Sequence, residues 1–310
     1  MRLSREAADL LPACALSGLL FAAGVFVPLL GQPLGFVSGA PLVWLAARHG
    51  LRVGLLGSVL AAAALLPVLP PPVTLLFALE HALPAAFLGT ALARGRGVAV
   101  PAAVAAVAIT ALVLGAAFLF SPEFARNPGA ILEEQLRAAF TEIGDAAGEG
   151  AAGAAALKQL EEVLAVMRRV LPAVALIAIY IECSVNALLA ARFLARRGAA
   201  VPQPDLTAFA LPEALVWLLI PVLALALVPS RPVATVALNV LLPLLFAYLL
   251  QGLSIVLFFV SRAGLSRLGR TMLAVAFAAY PPLLLGPLVI GVLDFKFTLR
   301  TRFPLPPRTG

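Results

Sequence analysis

VLPAVALIAIYIECSVNALLAARFL, residues 170–194, is a run interrupted by one carboxylate, Glu182, and one base, Arg192. Basic pairs flank it, Arg168-Arg169 before and Arg196-Arg197 after. An α-helix rises about 1.5 Å per residue and the hydrocarbon core of a bilayer is about 30 Å thick, so about 20 apolar residues cross it. This stretch is long enough and apolar enough to do so. Working outward, comparable runs occur at 10–30, 33–47, 52–69, 72–92, 98–119, 212–229, 233–259 and 271–293. The expected fold is an all-α integral membrane protein, a polytopic helical bundle of eight to nine transmembrane helices. The run 33–47 is short for a crossing and holds Pro33 and Pro41; the run 271–293 is interrupted by Tyr280-Pro281-Pro282 and Pro287, which predicts a kink.

Composition agrees. Hydrophobic residues make up 62% of the chain, charged residues 12%, and mean hydropathy is +1.05. Soluble domains are about half apolar and about a quarter charged. With 22 bases and 15 acids in 310 residues, the chain cannot cover a soluble surface, and its main partner is the lipid bilayer. The net charge of +7 does not point to nucleic acid, because the bases sit in twos and threes between apolar runs. Cys14 and Cys183 both lie inside apolar runs. No Cys-x-x-Cys or histidine cluster exists, so neither a disulfide framework nor a metal site is expected, and no cofactor. Glu6 and Asp9 leave no room for an apolar signal core before Leu11-Pro-Ala-Cys14, so the first run reads as an uncleaved span.

Arginine placement orients the chain. With Arg2 and Arg5 cytoplasmic, the cytoplasmic loops carry Arg48 and Arg52, Arg94 and Arg96, Arg192, Arg196 and Arg197, and Arg262, Arg267 and Arg270. The opposite loops carry Arg231 alone, as the positive-inside rule requires. The C-terminus departs from the rule: nine spans place Lys296, Arg300, Arg302 and Arg308 outside. Either the count is eight or the last segment folds back. Four parts are expected: a five-helix membrane unit at 1–119, an acidic amphipathic helical cap at 120–169, membrane helices at 170–295 and a basic tail at 296–310. The cap carries eight acids and five bases. Ile131 to Ile143 and Leu157 to Met167 show helical spacing, and Gly144 to Ala156 reads as the turn between them.

Ionisable and polar groups inside spans are costly and mark candidate sites. Glu80 and His81 lie near the middle of the fourth run. Glu182 lies near the middle of the sixth, with Tyr180 beside it and Asn186 one turn on. Asn239 and Gln251 lie in the eighth, where Tyr248, Gln251 and Ser254 share a helix face. The candidate ligand-binding set is therefore Glu80, His81, Tyr180, Glu182, Asn186, Asn239 and Gln251. Two carboxylates and a histidine suit a cation, a basic ligand or a proton relay. The competing reading is interhelical hydrogen bonding, which weighs more for the amides than for the two glutamates. Asp294 with Lys296 reads as an interfacial anchor, and His49 beside Arg48 as a solvated loop histidine. No zinc-protease, nucleotide-fold or Walker A motif is present, so the chain is read as neither an enzyme nor its own ATP-driven motor.

Phe26-Val-Pro28, Ala40-Pro41-Leu-Val, His49-Gly50-Leu-Arg-Val-Gly54-Leu-Leu-Gly57 and Leu83-Pro84-Ala-Ala-Phe-Leu-Gly89 resemble the first helices of the substrate-binding S-components of energy-coupling-factor vitamin transporters. Leu250-Gln251-Gly252-Leu-Ser254 and Gly291-Val-Leu-Asp294-Phe-Lys-Phe resemble the YybS-like family of predicted membrane proteins. The resemblance implies an S-component-like N-terminal core with an outward cavity, three further helices that S-components lack, and a bacterial cytoplasmic membrane with the N-terminus cytoplasmic. Two functions follow as expectations. One is a small-molecule-binding or transporter-like protein without its own ATPase. The other is a structural or assembly scaffold of the cell envelope, with the acidic cap as the surface for a membrane-protein partner. Convergence of Glu80, Glu182 and Gln251 on one cavity would favour binding; dispersed, hydrogen-bonded polar groups would favour a scaffold.

Overall fold

The computed structural model describes residues 2–27, 31–120, 151–198 and 205–302. All regular structure among them is helical, which is how a chain in hydrocarbon satisfies its backbone polar groups within each segment. Five helices are long and apolar enough to cross a bilayer: Glu6–Phe26, Pro71–Ala93, Ala99–Ala116, Glu162–Arg196 and Arg231–Arg262. The pair Leu268–Ala279 and Pro281–Phe297, bent by 109°, makes a sixth if it counts as one span. Eight to nine were expected. Prolines shorten the remaining runs. Residues 33–47 divide into α2 (Gly31–Phe36) and α3 (Ala40–His49), with Pro41 opening the latter. Pro67 follows the end of α4 (Leu51–Leu65), and the run 212–229 yields the helix Ala214–Ala226, between Pro212 and Pro229.

The chain forms two compact units. One is Met1–Asn127 with Ala175–Pro204; the other is Pro128–Val174 with Asp205–Gly310. In the first, α1 (Arg2–Phe26) packs on α2, α3 and α4. The segment Pro71–Ala93 consists of α5 (Pro71–Phe77), a π-helical turn (Ala78–Ala82) and α6 (Leu83–Ala93). The helix α6 packs on α3, α4 and α7 (Ala99–Phe120). A Cβ at Gly89 would collide with the Val43 carbonyl and stand 2.6 Å from Ala46, so α3 and α6 touch backbone to backbone, as small residues permit in membranes. The surface is the inverse of a soluble one. Leu11, Leu19 and Val100 are about 70% exposed, while Ser17 and Ser38 are fully buried and joined by the Ser17 hydroxyl donating to the Ser38 carbonyl at 2.7 Å.

One end of this unit gathers its charges. Asp9 Oδ2 lies 3.2 Å from Arg48 Nε and 2.9 Å from His49 Nε2. His49 is therefore paired and nearly buried rather than solvated. The guanidinium groups of Arg48 and Arg197 stand 5.4 and 5.6 Å from the centre of the Trp44 ring. The loops after the second and sixth runs thus meet at one end of this unit.

The helix α8 (Ala151–Arg196) is continuous. The series Leu157–Met167 and the run 170–194 are one element, and Ala151–Ala156, expected as a turn, are helical because alanine has the best helix propensity. The rest of the expected cap, residues 121–150, lies outside the described residues. In the second unit, α9 (Ala214–Ala226) and α12 (Leu285–Phe297) both pack on α10 (Arg231–Arg262). The amphipathic helix α11 (Arg267–Ala279) and a 3-10 turn (Pro281–Leu284) precede α12. Gly252 of α10 faces the Pro287 carbonyl and Gly291 of α12 faces the Tyr248 carbonyl, so closely that neither position has room for a Cβ.

Candidate functional site

The site begins with a proline. Pro84 has no N–H, and its ring would clash with the carbonyl four residues back, that of Glu80. The helix answers by widening. Leu83 N–H bonds to the Ala78 carbonyl five residues back, and Ala78–Ala82 form a π turn. Such turns are rare and are frequent at functional sites. On α4, the Ser58 hydroxyl donates to the Ala82 carbonyl at 2.6 Å, taking up an acceptor at the end of the turn. Glu80 and His81 both lie in this turn.

His81 is 7% exposed. Its ring meets Phe21 edge-on, with centroids 5.1 Å apart, and stacks on Phe77 at 5.8 Å. The ring is thereby held with Nδ1 2.8 Å from Glu182 Oε1. That contact lacks hydrogen-bond alignment, and Nδ1 has no hydrogen-bond partner. One ligand atom each from Glu80, His81 and Glu182 lie within 4.8 Å of one another. Glu182 is buried and Glu80 half-buried.

Asn186, one turn beyond Glu182, completes the wall. Its amide nitrogen donates to the Glu182 carbonyl at 2.9 Å and the Phe36 carbonyl at 3.0 Å. Its Oδ1 is buried without a partner. Gly39 makes room, since a Cβ there would lie 3.4 Å from that oxygen. The space walled by Gly39, Val43, Glu80, His81, Glu182 and Asn186 is about 10 Å³, near the size that holds one water. An open groove of about 270 Å³ between Leu51, Leu55, Leu83, Phe87 and Ile109 is walled entirely by apolar side chains.

Of the seven candidates, four share this place: Glu80, His81, Glu182 and Asn186. Tyr180 packs against the apolar core of the same unit and does not line the space. Asn239 and Gln251 belong to the second unit and are engaged there. Asn239 Oδ1 accepts from Ala173 N–H at 2.9 Å and its amide donates to the Arg169 carbonyl at 2.6 Å. Those are two backbone groups that an α-helix would otherwise pair. Gln251 Oε1 accepts from Leu211 N–H at 2.9 Å, and its amide donates to Asp294 Oδ2 at 3.0 Å.

Asp294 is more than an interfacial anchor, because its other oxygen accepts from Leu299 N–H at 2.8 Å. Arg300, in the expected basic tail, donates to the Phe209 carbonyl at 2.7 Å and the Ser254 hydroxyl at 2.8 Å. Sequence reading passes over Arg300 and Gly39. The signal for Gly39 was its place in the Gly-rich turn before Ala40-Pro41; Arg300 offers none, being one base among several.

The chain belongs to the family described as "Predicted membrane protein (DUF2232)", whose family model matches residues 15–295. No curated protein and no solved structure matches it.

Proposed function

We propose that this membrane protein binds a small cation inside the bilayer, as a transporter-like protein with no ATPase of its own. The observation that carries the reading is the convergence of the Glu80 and Glu182 carboxylates with His81 on one small space. A packing contact between helices needs one donor and one acceptor. It does not need a second carboxylate, which like-charge repulsion opposes until a cation arrives. Depth points the same way. Glu80 stands nine residues from the start of Pro71–Ala93, roughly 14 Å along the helix. Glu182 stands fourteen residues before Arg196, roughly 21 Å. Charges at such depth are retained for function.

The S-component-like texture of residues 26–90 supports a binding role. In this reading the short helices α4 and α9 join the longer ones to give eight to nine segments. The N-terminus faces the cytoplasm, and the membrane is a bacterial inner membrane. The size of the space favours a bare cation over a vitamin-sized solute. No catalytic step is assigned: the Ser58 hydroxyl is committed to the Ala82 carbonyl.

The test is thermal unfolding of the full chain in nanodiscs in sodium, potassium, calcium, manganese or zinc chloride, against choline chloride at equal ionic strength. A cation that binds the folded state raises Tm with its concentration. At least one is expected to do so, and Glu80→Gln and Glu182→Gln are expected to remove the rise while leaving Tm in choline nearly unchanged. A Tm indifferent to all five cations, or a rise that survives both substitutions, overturns the proposal.

A further inference from the structure

We infer that the cation is a divalent first-row transition metal ion, held by Glu80, His81, Glu182 and the side-chain carbonyl of Asn186; this rests on the cation-binding reading above. Ligand type comes first. Sodium, potassium, magnesium and calcium favour all-oxygen sites, whereas an imidazole nitrogen beside carboxylates suits zinc, manganese and iron. Charge comes second. Two carboxylates and one divalent ion sum to zero, and only a neutral total sits cheaply at this depth in a bilayer.

Geometry agrees. Atoms bound to one ion at about 2.1 Å stand roughly 3.0–4.2 Å from one another, depending on coordination number. The atoms of Glu80, His81 and Glu182 lie within 4.8 Å of one another, with His81 Nδ1 2.8 Å from Glu182 Oε1. Small side-chain adjustments therefore close the shell. A further sign comes from the polar atoms beside the carboxylates. His81 Nδ1 and Asn186 Oδ1 are both buried, both line the same small space, and neither has a hydrogen-bond partner. Buried polar atoms are ordinarily satisfied. An amide oxygen without a donor and an imidazole nitrogen beside two carboxylates, all lining one ion-sized space, fit a metal, which needs no donor hydrogen.

The supporting contacts are those of a metal site. The Asn186 amide nitrogen is fixed by the Phe36 and Glu182 carbonyls, so its oxygen has one direction left. The Phe21 and Phe77 rings hold the imidazole. Outer contacts of this kind orient first ligands.

The experiment uses full-length protein in nanodiscs, stripped with chelator and dialysed against zinc, manganese, magnesium or sodium chloride, with bound metal measured by mass spectrometry. One equivalent of zinc is expected, with manganese held more weakly in keeping with the usual affinity order, and no stoichiometric magnesium. Glu80→Gln, an isosteric change at a half-buried position, is expected to weaken zinc binding by about tenfold or more. With cobalt as the probe, the ligand-field absorption of wild type is expected to be lost in His81→Gln.

Absence of stoichiometric zinc, or zinc binding that both Glu80→Gln and His81→Gln leave intact, overturns the inference. If zinc and manganese fail while sodium, potassium or calcium raises Tm through Glu80 and Glu182, the metal assignment falls and the cation-binding reading stands. If no cation raises Tm, both fall.

Discussion

Gln251 donates from its side-chain amide to the Asp294 carboxylate at 3.0 Å, and this bond joins two short motifs, 250–254 and 291–297, that stand forty residues apart in the chain. The same Gln251 accepts from Leu211 N–H. Gln251→Leu keeps the volume and removes both bonds, leaving a backbone donor and a carboxylate oxygen short of partners. Each such group costs about 1–3 kcal/mol. The variant should unfold at clearly lower temperature than wild type, as read by thermal unfolding in nanodiscs. Tm unchanged by this substitution would show that the bond holds nothing in place.

Gly291→Ala should be more damaging than its one added methyl suggests. The new Cβ would meet the Tyr248 carbonyl, a rigid backbone atom that cannot step aside. Gly286→Ala is the control on the same helix, because a Cβ there meets nothing within 4 Å. It should be neutral or slightly stabilising, alanine being favoured over glycine in a helix by roughly 1 kcal/mol. Equal yields and unfolding temperatures for the two variants would refute close backbone packing between α10 and α12.

Asn239 presents the opposite case. Its amide sits between the Ala173 N–H and the Arg169 carbonyl, the donor and acceptor of one turn of α8. Asn239→Ala removes the amide but lets those two backbone groups pair with each other. The loss should therefore be smaller than for Gln251→Ala, whose partners Leu211 and Asp294 have no such fallback. Comparison of the two unfolding temperatures checks this; a larger loss for Asn239→Ala would mean that α8 cannot close its own turn there.

The reach of the sequence follows from these cases. Hydropathy marks the depth of Glu80, Glu182 and Gln251, since an apolar run makes each conspicuous. It does not say which of them meet. Glu80 and Glu182 converge because Pro84 forces a wider turn and Gly39 leaves a space, both steric effects of residues with no chemistry to attract notice. Gln251 and Asn239 are also polar groups inside apolar runs, yet Asn239 is spent on backbone groups and Gln251 on a backbone N–H and the Asp294 carboxylate. His49 and Asp9 are 40 positions apart and unremarkable separately; only packing of α1 on α3 pairs them. Hydropathy alone marks eight to nine runs where five helices, or six with the bent pair, are long enough to cross, for a related reason. Summed hydropathy does not register that prolines end α4 and α9 before about 20 residues have accumulated.

Arg48 and Arg197 flank the same Trp44 ring, so both must lie on one side of the membrane. Single cysteines at positions 48 and 197, in a background lacking Cys14 and Cys183, should react with a membrane-impermeant maleimide from the same side only. In intact cells neither should react if the arginine pattern sets that side as cytoplasmic. Reaction of one position from outside and the other from inside would contradict the contact itself.

The last helices carry the sharpest topological prediction. Gly252 faces Pro287 while Gly291 faces Tyr248, so positions run in opposite order and α12 is antiparallel to α10, starting from the Arg262 end. The 109° bend before α12 then sets α11 across that direction, along the surface instead of through the bilayer. The side chains of α11 suit such a place. Leu268, Met272 and Val275 form a stripe at helical spacing, 58–70% exposed, while Arg270 falls on the opposite face, the arrangement of a helix that lies in the interface. Cysteines at Gly264 and Tyr280 should therefore label from the same side as Arg262. A straight ninth crossing over 271–293 requires residues 264 and 294 to emerge on opposite sides, with the later bases left outside against the charge rule. With α11 on the surface that conflict loses its premise, because Arg300 is turned back onto Ser254 and the Phe209 carbonyl instead of trailing outward as a tail. Labelling of position 264 and position 280 from opposite sides would restore the crossing and its conflict.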